Sequence, residues 1–522
     1  MKKLCICLIM AVFFTLHTLA VNYYVDSRAG NDRNDGLTPQ TAWQSLQKAS
    51  ATKLTAGDRL LFGSGSQFNG ALILDNVSGS KDAPVVISSY QMATGETGMP
   101  VIRAEGYTGA VQIKNGSHIC VSGLELTSDA GIVQEDDALT QRYGVRIWAD
   151  QPGFYRGIRL SRLKIHHIFA NEPVPDEGYN PTSNRGMGIV VLMQHKDALI
   201  RDVTIDDCDI EMTGHTGIRV SGCREGERSY LDSLFILNNR LTHIGGPGMV
   251  IGLSRNVLVG GNTVCYSGSS ADSRMHARGS GIWPWTCQRV LIEKNKFMHA
   301  RGRNDSCGVH IDFDCSDVIV QYNLSMDNAG GFVEFLGNDR NCAYRYNISI
   351  NDGFRVKGED RANSDGKIIW TGGYVGNNRP KTGPFNSYVY NNTVYVKEGS
   401  RSCFTFSSTT DGVLIANNIF YIQGETLVSS DGNDRPEQLN DARNIFFINN
   451  LYANSTVLPE SLRKFDQAPL YGNLHDVELI KDKIEITNLP GDDVGLFTGF
   501  KVDKDYLGQP IVGIPDLGAI EY

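Results

Sequence analysis

One short pattern recurs through the middle of this chain: an apolar residue, any residue, a second apolar residue, two more residues, then asparagine. It occurs as Leu234-x-Ile236-x-x-Asn239, Val257-x-Val259-x-x-Asn262, Val290-x-Ile292-x-x-Asn295, Val318-x-Val320-x-x-Asn323 and Cys342-x-Tyr344-x-x-Asn347, and further copies end at Asn392, Asn418 and Asn450. Earlier copies carry Leu124, Leu163 and Cys208 at the asparagine position. Alternation at period two describes a strand whose apolar pair turns inward, and the asparagine marks a bend. Successive copies lie 23 to 45 residues apart. The shortest spacings fit one three-sided coil, and the longer ones add loops at a corner. Stacked copies let each side-chain amide bond the next. A second strand follows each bend after a glycine, as in Gly217-Ile218-Arg219-Val220, Gly248-Met249-Val250-Ile251, Gly281-Ile282-Trp283 and Gly308-Val309-His310-Ile311. The pattern predicts an all-β fold, a single-stranded parallel β-helix.

In a solenoid, length counts coils rather than domains. The 522 residues divide into an expected leader (1–20), an N-terminal strand, loop and capping helix (21–80), the β-helix (81–455) and a closing segment (456–522). Lys2 and Lys3, the apolar run to Leu16 and Thr18-Leu19-Ala20 have the layout of a signal peptide, so the protein is expected to be secreted or periplasmic. Trp43, Leu46 and Ala49 fall on one face of a helix predicted within Thr41–Ala51, placed to cover the open first coil. Cys5 and Cys7 lie in the leader; the nine other cysteines are odd in number and include no zinc-spaced pair, so buried free thiols are expected. A net charge of −9 without a Lys/Arg run argues against nucleic acid as a partner. No later apolar stretch is long enough to span a membrane, and a monomer is expected.

Register turns into chemistry in such a fold, because equivalent outward residues on neighbouring coils stack about 4.8 Å apart. Aligning the second strands puts Asp312 and Glu334, 22 residues apart, outward on adjacent coils. Their carboxyl groups are then expected at roughly 5 Å, the separation of a retaining glycosidase, with no cofactor required. Asp314 shares their face, and His310 and Arg219 also point outward, where they can bond sugar hydroxyls or carboxylates. Trp283 and Trp285 alternate outward one coil earlier, a platform on which sugar rings stack; Trp148 and Trp370 are weaker candidates of the same kind. Insertions at Ala170–Gly188, Gly222–Ser229, Ser267–Ser280, Ala300–Ser306 and Phe354–Gly366 are expected to wall a cleft. Arg274, His276 and Arg278 in one loop, and Arg355, Lys357 and Arg361 in another, suggest a substrate with carboxylate or sulfate groups, or simply solvated charge. Calcium is possible at Asn31-Asp32-x-Asn34-Asp35-Gly36, where an Asx-rich turn is the plainer reading.

The repeat over about residues 80 to 455 resembles the right-handed parallel β-helix superfamily that includes pectate-lyase-like enzymes. The tail from Ile514 to Tyr522 resembles the closing segment of secreted bacterial β-helix proteins. Ile311-Asp312-Phe313-Asp314-Cys315 and Asp327-Asn328 … Phe332-Val333-Glu334-Phe335 are similar to the β-xylosidase family of β-helix glycosidases. That resemblance implies Asp312 as nucleophile and Glu334 as acid/base. The residues after the nucleophile depart from that family, and no gap here holds its inserted β-sandwich, so xylose specificity does not follow. Three functions are therefore expected, in this order: a retaining glycoside hydrolase acting on a complex polysaccharide, a polysaccharide lyase acting on a uronate-containing glycan, and a non-catalytic carbohydrate-binding protein.

Overall fold

A computed structural model describes residues 20–92, 95–172, 185–224, 228–429, 442–454, 456–472 and 502–521. The expected leader lies outside the described residues, as do parts of the loops at Ala170–Gly188 and Gly222–Ser229. The chain winds into a parallel β-helix with three faces. The first face is a 15-stranded sheet from Asn22–Val25 to Asp466–Gln467, and the second is a 14-stranded sheet from Gln67–Asn69 to Leu470–Gly472. The third face is split. Seven strands run from Leu72–Asp75 to Ile282–Trp285, and four run from Gly331–Phe335 to Glu425–Ser429. The coils thus extend beyond the asparagine repeat at both ends, where other residues occupy the bend.

The repeat pattern explains the first two faces. In Leu231–Leu237 the residues Leu234 and Ile236 are fully buried, and they stack in register on Val257 and Val259, then on Val290 and Ile292. The residue before each repeat asparagine takes the left-handed conformation that turns the chain, for example Asn238 (φ 56°), Lys294 (φ 56°) and Tyr322 (φ 56°). The asparagine then turns inward. Each Nδ2 donates to the Oδ1 of the next asparagine: Asn239 to Asn262 at 2.9 Å, Asn262 to Asn295 at 2.9 Å, Asn295 to Asn323 at 3.0 Å, and on through Asn347, Asn392 and Asn418 to Asn450. The same Oδ1 accepts a backbone N–H from the coil before, as Asn323 does from Asn295 at 2.9 Å. All four bonding positions of each inner amide are used, so burial leaves nothing unsatisfied.

The glycines before the third face have a steric cause. A Cβ on Gly217 would stand 2.6 Å from the Gly248 carbonyl and from Leu241, and one on Gly248 would stand 2.5 Å from the Gly281 carbonyl and from Val264. Only glycine lets consecutive coils close at that corner.

At the N-terminus the helix is Leu46–Ser50, shorter than predicted, with Leu46 and Ala49 buried in the common core. The loop with calcium-like residues is an Asx turn. Asp32 accepts from the Gln44 and Ser45 amides and the Ser45 hydroxyl, and Asp35 accepts from the Leu37 amide and the Thr41 hydroxyl. The C-terminal segment docks on the solenoid, where the Asp516 carbonyl accepts from Asn391 at 2.7 Å and the Ala519 amide donates to Thr393 at 3.0 Å. The nine cysteines from Cys120 to Cys403 are free thiols, with Cys120 and Cys265 half-buried and the others buried.

Two outcomes test the ladder. Asn323→Ala orphans the buried Ile292 carbonyl and the Asn295 amide, and is expected to lower stability by about 2–4 kcal/mol in chemical denaturation. A second ladder at the next bend ends in an acid: Asn328 donates to Asp352 through backbone and side chain, both at 2.9 Å. Burial pushes the Asp352 carboxyl up to about 7, although Ser325, Ser349 and Asn328 bond it. A raised acid stabilises the fold below its unfolded value, and that contribution is lost as pH rises through about 7. Asp352→Asn keeps the bonds without the charge. Its unfolding midpoint should exceed the parent's by a margin that grows from acid pH to above neutrality, bounded by about 4 kcal/mol.

Candidate active site

The third face breaks at the coil containing Cys307, Val309, His310, Ile311 and Asp312. Only isolated bridges hold it, Ile282 with Val309 on one side and Cys307 with Gly331 and Ile311 with Phe335 on the other. Pro284 explains part of the break. Ile282 donates its amide to the Gly308 carbonyl, but two residues on Pro284 has no N–H for the His310 carbonyl. The coil is still tied to the one before by the His310 amide to Ile282 and the Asp312 amide to Pro284, and to the one after by the Ile311 amide to Glu334 and the Leu336 amide to Ile311.

Over this break lies a cavity of about 930 Å³. Its floor is the outer surface of the third face, with Trp283, Trp285, His310, Asp312, Glu334 and Trp370, and with Arg219 at one end. The loop Ser267–Ser280 forms one wall through Met275, His276 and Arg278. Of the expected site residues, Asp312, Glu334, Trp283, Trp285, His310 and Arg219 all line this cavity.

The register differs from the expected one. Cys307 pairs with Gly331 and Ile311 with Phe335, so this coil is 24 residues long rather than 22. Glu334 therefore stacks beside His310, and Asp312 lies two residues further along. Their Cα atoms are about 8 Å apart by strand geometry, not stacked. A shift of two keeps every side chain on its face, and Phe332, Val333 and Phe335 are all buried, so alternation could not reveal it.

His310 now occupies the space between the two acids. Its Nδ1 is 3.6 Å from Glu334 and its Nε2 is 3.9 Å from Asp312, and the ring is 5% exposed. Both contacts are longer than hydrogen bonds, so the coupling is through charge. Burial alone would pull the imidazole down, but Glu334, Asp312 and Asp305 outweigh it and hold it above its ordinary value. Burial pushes both the Asp312 and the Glu334 carboxyls up, with His310 opposing the shift. Glu334 is 2% exposed and accepts from the Cys307 thiol at 3.2 Å; Asp312 is 19% exposed and opens to the cavity.

Asp305 was not singled out by sequence. It sits at the end of the loop Ala300–Ser306, lines the cavity, is 13% exposed and pairs with Arg278 at 2.9 Å. It contributes to the electrostatics of His310, Asp312 and Glu334 alike. No repeat position marks it; its only sequence signal is its place in a loop expected to wall the cleft.

Asp314 corrects an expectation. It does not reach the cavity, because its left-handed backbone (φ 62°) turns it aside, where Arg228 (2.8 Å), Arg379 (2.6 Å) and Asn338 (2.8 Å) bond it. Burial works against its charge, yet those partners hold its carboxyl down at about 2. Asp314 ties two loops together through Arg228 and Arg379.

Trp283, Trp285 and Trp370 line the cavity, and the ring of Trp285 is covered on both faces. Arg224 lies over the Trp285 ring at 4.1 Å, and Trp285 crosses Gly252, where a Cβ would stand 2.2 Å from the indole. Trp283 tilts towards His310 with ring centroids 5.3 Å apart. Trp370 stacks in register with Glu334, with the Lys367 ammonium 3.8 Å over its ring. Trp148 lies under Arg146 at 4.3 Å and is not part of the cavity lining. Among the loop cations, Arg274 is held by Asp272 and Asp129, and Arg355 by the carbonyls of Gly302, Asp305 and Ser364.

An all-parallel solenoid with carboxyls grouped on an outer face, beside aromatic rings, defines the class: a right-handed parallel β-helix with an acidic, aromatic-lined cleft. The family described as "Right handed beta helix region" matches residues 188–379, which include that cleft's Trp283, His310, Asp312 and Glu334. A lacto-N-biosidase of Bifidobacterium longum subsp. longum is 23% identical over 620 aligned positions, covering 97% of this chain and 37% of that protein. The chain thus spans little more than a third of the length of the curated relative it matches. The GH136 lacto-N-biosidase of Eubacterium ramulus shares the fold, with TM-score 0.53, 21% identity and coverage of 81% of this chain and 67% of that one. XylC in complex with xylose also shares it, with TM-score 0.51, 13% identity and coverage of 96% and 98%. No helix among the described residues is long and apolar enough to cross a membrane.

The charge coupling has a direct readout. Glu334→Gln removes the chief support of the His310 cation and leaves burial, so the imidazole midpoint followed by nuclear magnetic resonance should fall. An unchanged midpoint would mean that Glu334 does not govern this histidine.

Proposed function

We propose that this protein is a glycoside hydrolase acting on a complex glycan, with its reaction centre at the break in the third face. The supporting observation is the group of three carboxyls around His310 in one cavity, two of them raised by burial. Glycoside hydrolysis needs one carboxyl that holds a proton for the leaving oxygen and a second that attacks the anomeric carbon or activates water. Asp312 and Asp305 open to the cavity and are assigned as that pair. Glu334, beside His310 and 2% exposed, is assigned as a positioning residue that sets the imidazole charge. The resemblance to β-xylosidases gave Glu334 the acid/base role; its burial favours Asp305 in contact with the sugar. The stacked carboxyl pair that implied retention is absent, so the anomer first released, read by proton resonance, decides the stereochemistry. The lacto-N-biosidase likenesses support a glycosidase, and an exported location follows from the leader layout. Trp283 would carry a sugar ring.

Digestion of a glycan library by the purified protein tests this. New reducing ends should form without the ultraviolet absorbance of an unsaturated uronate. Asp312→Asn and Asp305→Asn should each lower kcat by about 10²–10⁴-fold with the melting temperature kept, and Glu334→Gln by less. In His310→Gln the carboxyls lose the cation that favours their ionised forms, so the acid limb of the pH profile should move to higher pH. An unsaturated product would replace this reading with a lyase. Binding without turnover, lost in Trp283→Ala, would replace it with a carbohydrate-binding protein.

A further inference from the structure

The cavity is not acidic throughout. At the end away from Asp312 it is lined by Arg185, Arg219 and His215. Among the other cations of the cavity, Arg278 pairs with Asp305, His310 lies between Asp312 and Glu334, Arg224 lies over Trp285, and Arg303 and Arg361 belong to the loops Ala300–Ser306 and Phe354–Gly366. The remaining cavity acid, Asp272, is taken by Arg274. Arg185 and Arg219, both half-buried, have no carboxylate or hydrogen-bond partner for their guanidinium groups among the described residues, and Arg185 Nε is buried without any partner. Arg219 is pulled down by burial and then by Arg185, and His215 is held neutral by burial, His276 and the same two arginines.

Two like-charged guanidiniums in a partly dry pocket repel, and a fold does not place them there for stability. Planar guanidiniums are the preferred partners of carboxylate and sulfate oxygens, which they bind through paired N–H donors. We propose that Arg185 and Arg219 form an anion-binding subsite that takes a carboxylate or sulfate on the substrate, so that the glycan cleaved is an acidic one. Register gives the distance. Arg219 stacks through Val250 and Trp283 to His310, three coils or roughly 14 Å along the axis. The anion therefore belongs to a sugar beyond the one at Asp312, with Trp283 between them. These are not the loop cations suggested by sequence, of which Arg274 and Arg355 are bound within the protein. The inference rests on the glycosidase reading for its substrate, but the subsite itself does not.

Two measurements separate them. In thermal unfolding at matched ionic strength, sodium sulfate and sodium glucuronate serve as probes. One or both should raise the parent's midpoint saturably, and which one does so distinguishes sulfate from carboxylate. Arg185→Gln and Arg219→Gln, each tested alone, should lose that rise. In kinetics, glycans of one backbone are compared without charge, with a uronate, or with an O-sulfate. The parent should show a KM at least 10-fold lower for a charged form, and either substitution should collapse that ratio. A saturable rise with no hydrolysis of any glycan would overturn the glycosidase reading and uphold the subsite. No saturable rise with either anion, together with equal KM for charged and neutral glycans, would overturn the subsite.

Discussion

The side-chain amide ladder sets everything else in this molecule. An asparagine inside a β-helix is tolerated only if both its donors and its acceptor are met, and only the asparagine of the next coil at the same depth can meet them. That requirement fixes the vertical register of coil upon coil from Asn239 to Asn450, whatever the loops between them do. Coils therefore differ by more than twenty residues in length while their walls stay aligned. The apolar pairs stack because the ladder holds them level. The outward residues of the third face then fall into columns, and the cavity is a stretch of two such columns.

Within that frame the cleft separates charge along one axis. At the break in the sheet, three carboxyls surround one imidazole and one guanidinium. Further along, two guanidiniums stand without acids. Aromatic rings lie between, and one of them, Trp285, is held flat by Gly252 beneath and Arg224 above. Opposite fields at the two ends of a low-dielectric groove orient a polar ligand before any close contact forms. The break itself belongs to the same design. Where Pro284 withholds a ladder bond, the coil carrying His310 and Asp312 is freed from strict strand geometry.

The architecture was legible because it rests on period and spacing. The Leu-x-Ile-x-x-Asn unit reported two faces and the bend between them, and the Gly-Ile-x-Val unit reported the third. The outward direction of Trp283, His310, Asp312 and Glu334 followed from alternation alone. What alternation could not report was a displacement of two residues: Glu334, the one polar side chain in Gly331–Phe335, marks the face, but a shift of two keeps it on that face. Hence the stacked acid pair gave way to an acid, an imidazole and an acid. Asp305 was illegible for a different reason: a loop side chain has no periodic neighbour, and its direction depends on Arg278 from another loop. Asp314 misled because two residues along a strand means the same face, whereas at a left-handed bend it does not.

The quantised rise of the solenoid has a consequence for how such a cleft changes over generations. The distance between the basic wall and the acid centre is a whole number of coils. Duplicating or deleting one coil between Arg219 and Asp312 would lengthen or shorten it by about 4.8 Å, with the loop Ser267–Ser280, which brings His276 to His215 and Arg278 to Asp305, left to span the new distance. The fold thus works as a ruler with fixed graduations, and ligand length can be reset by counting turns rather than by rebuilding a pocket.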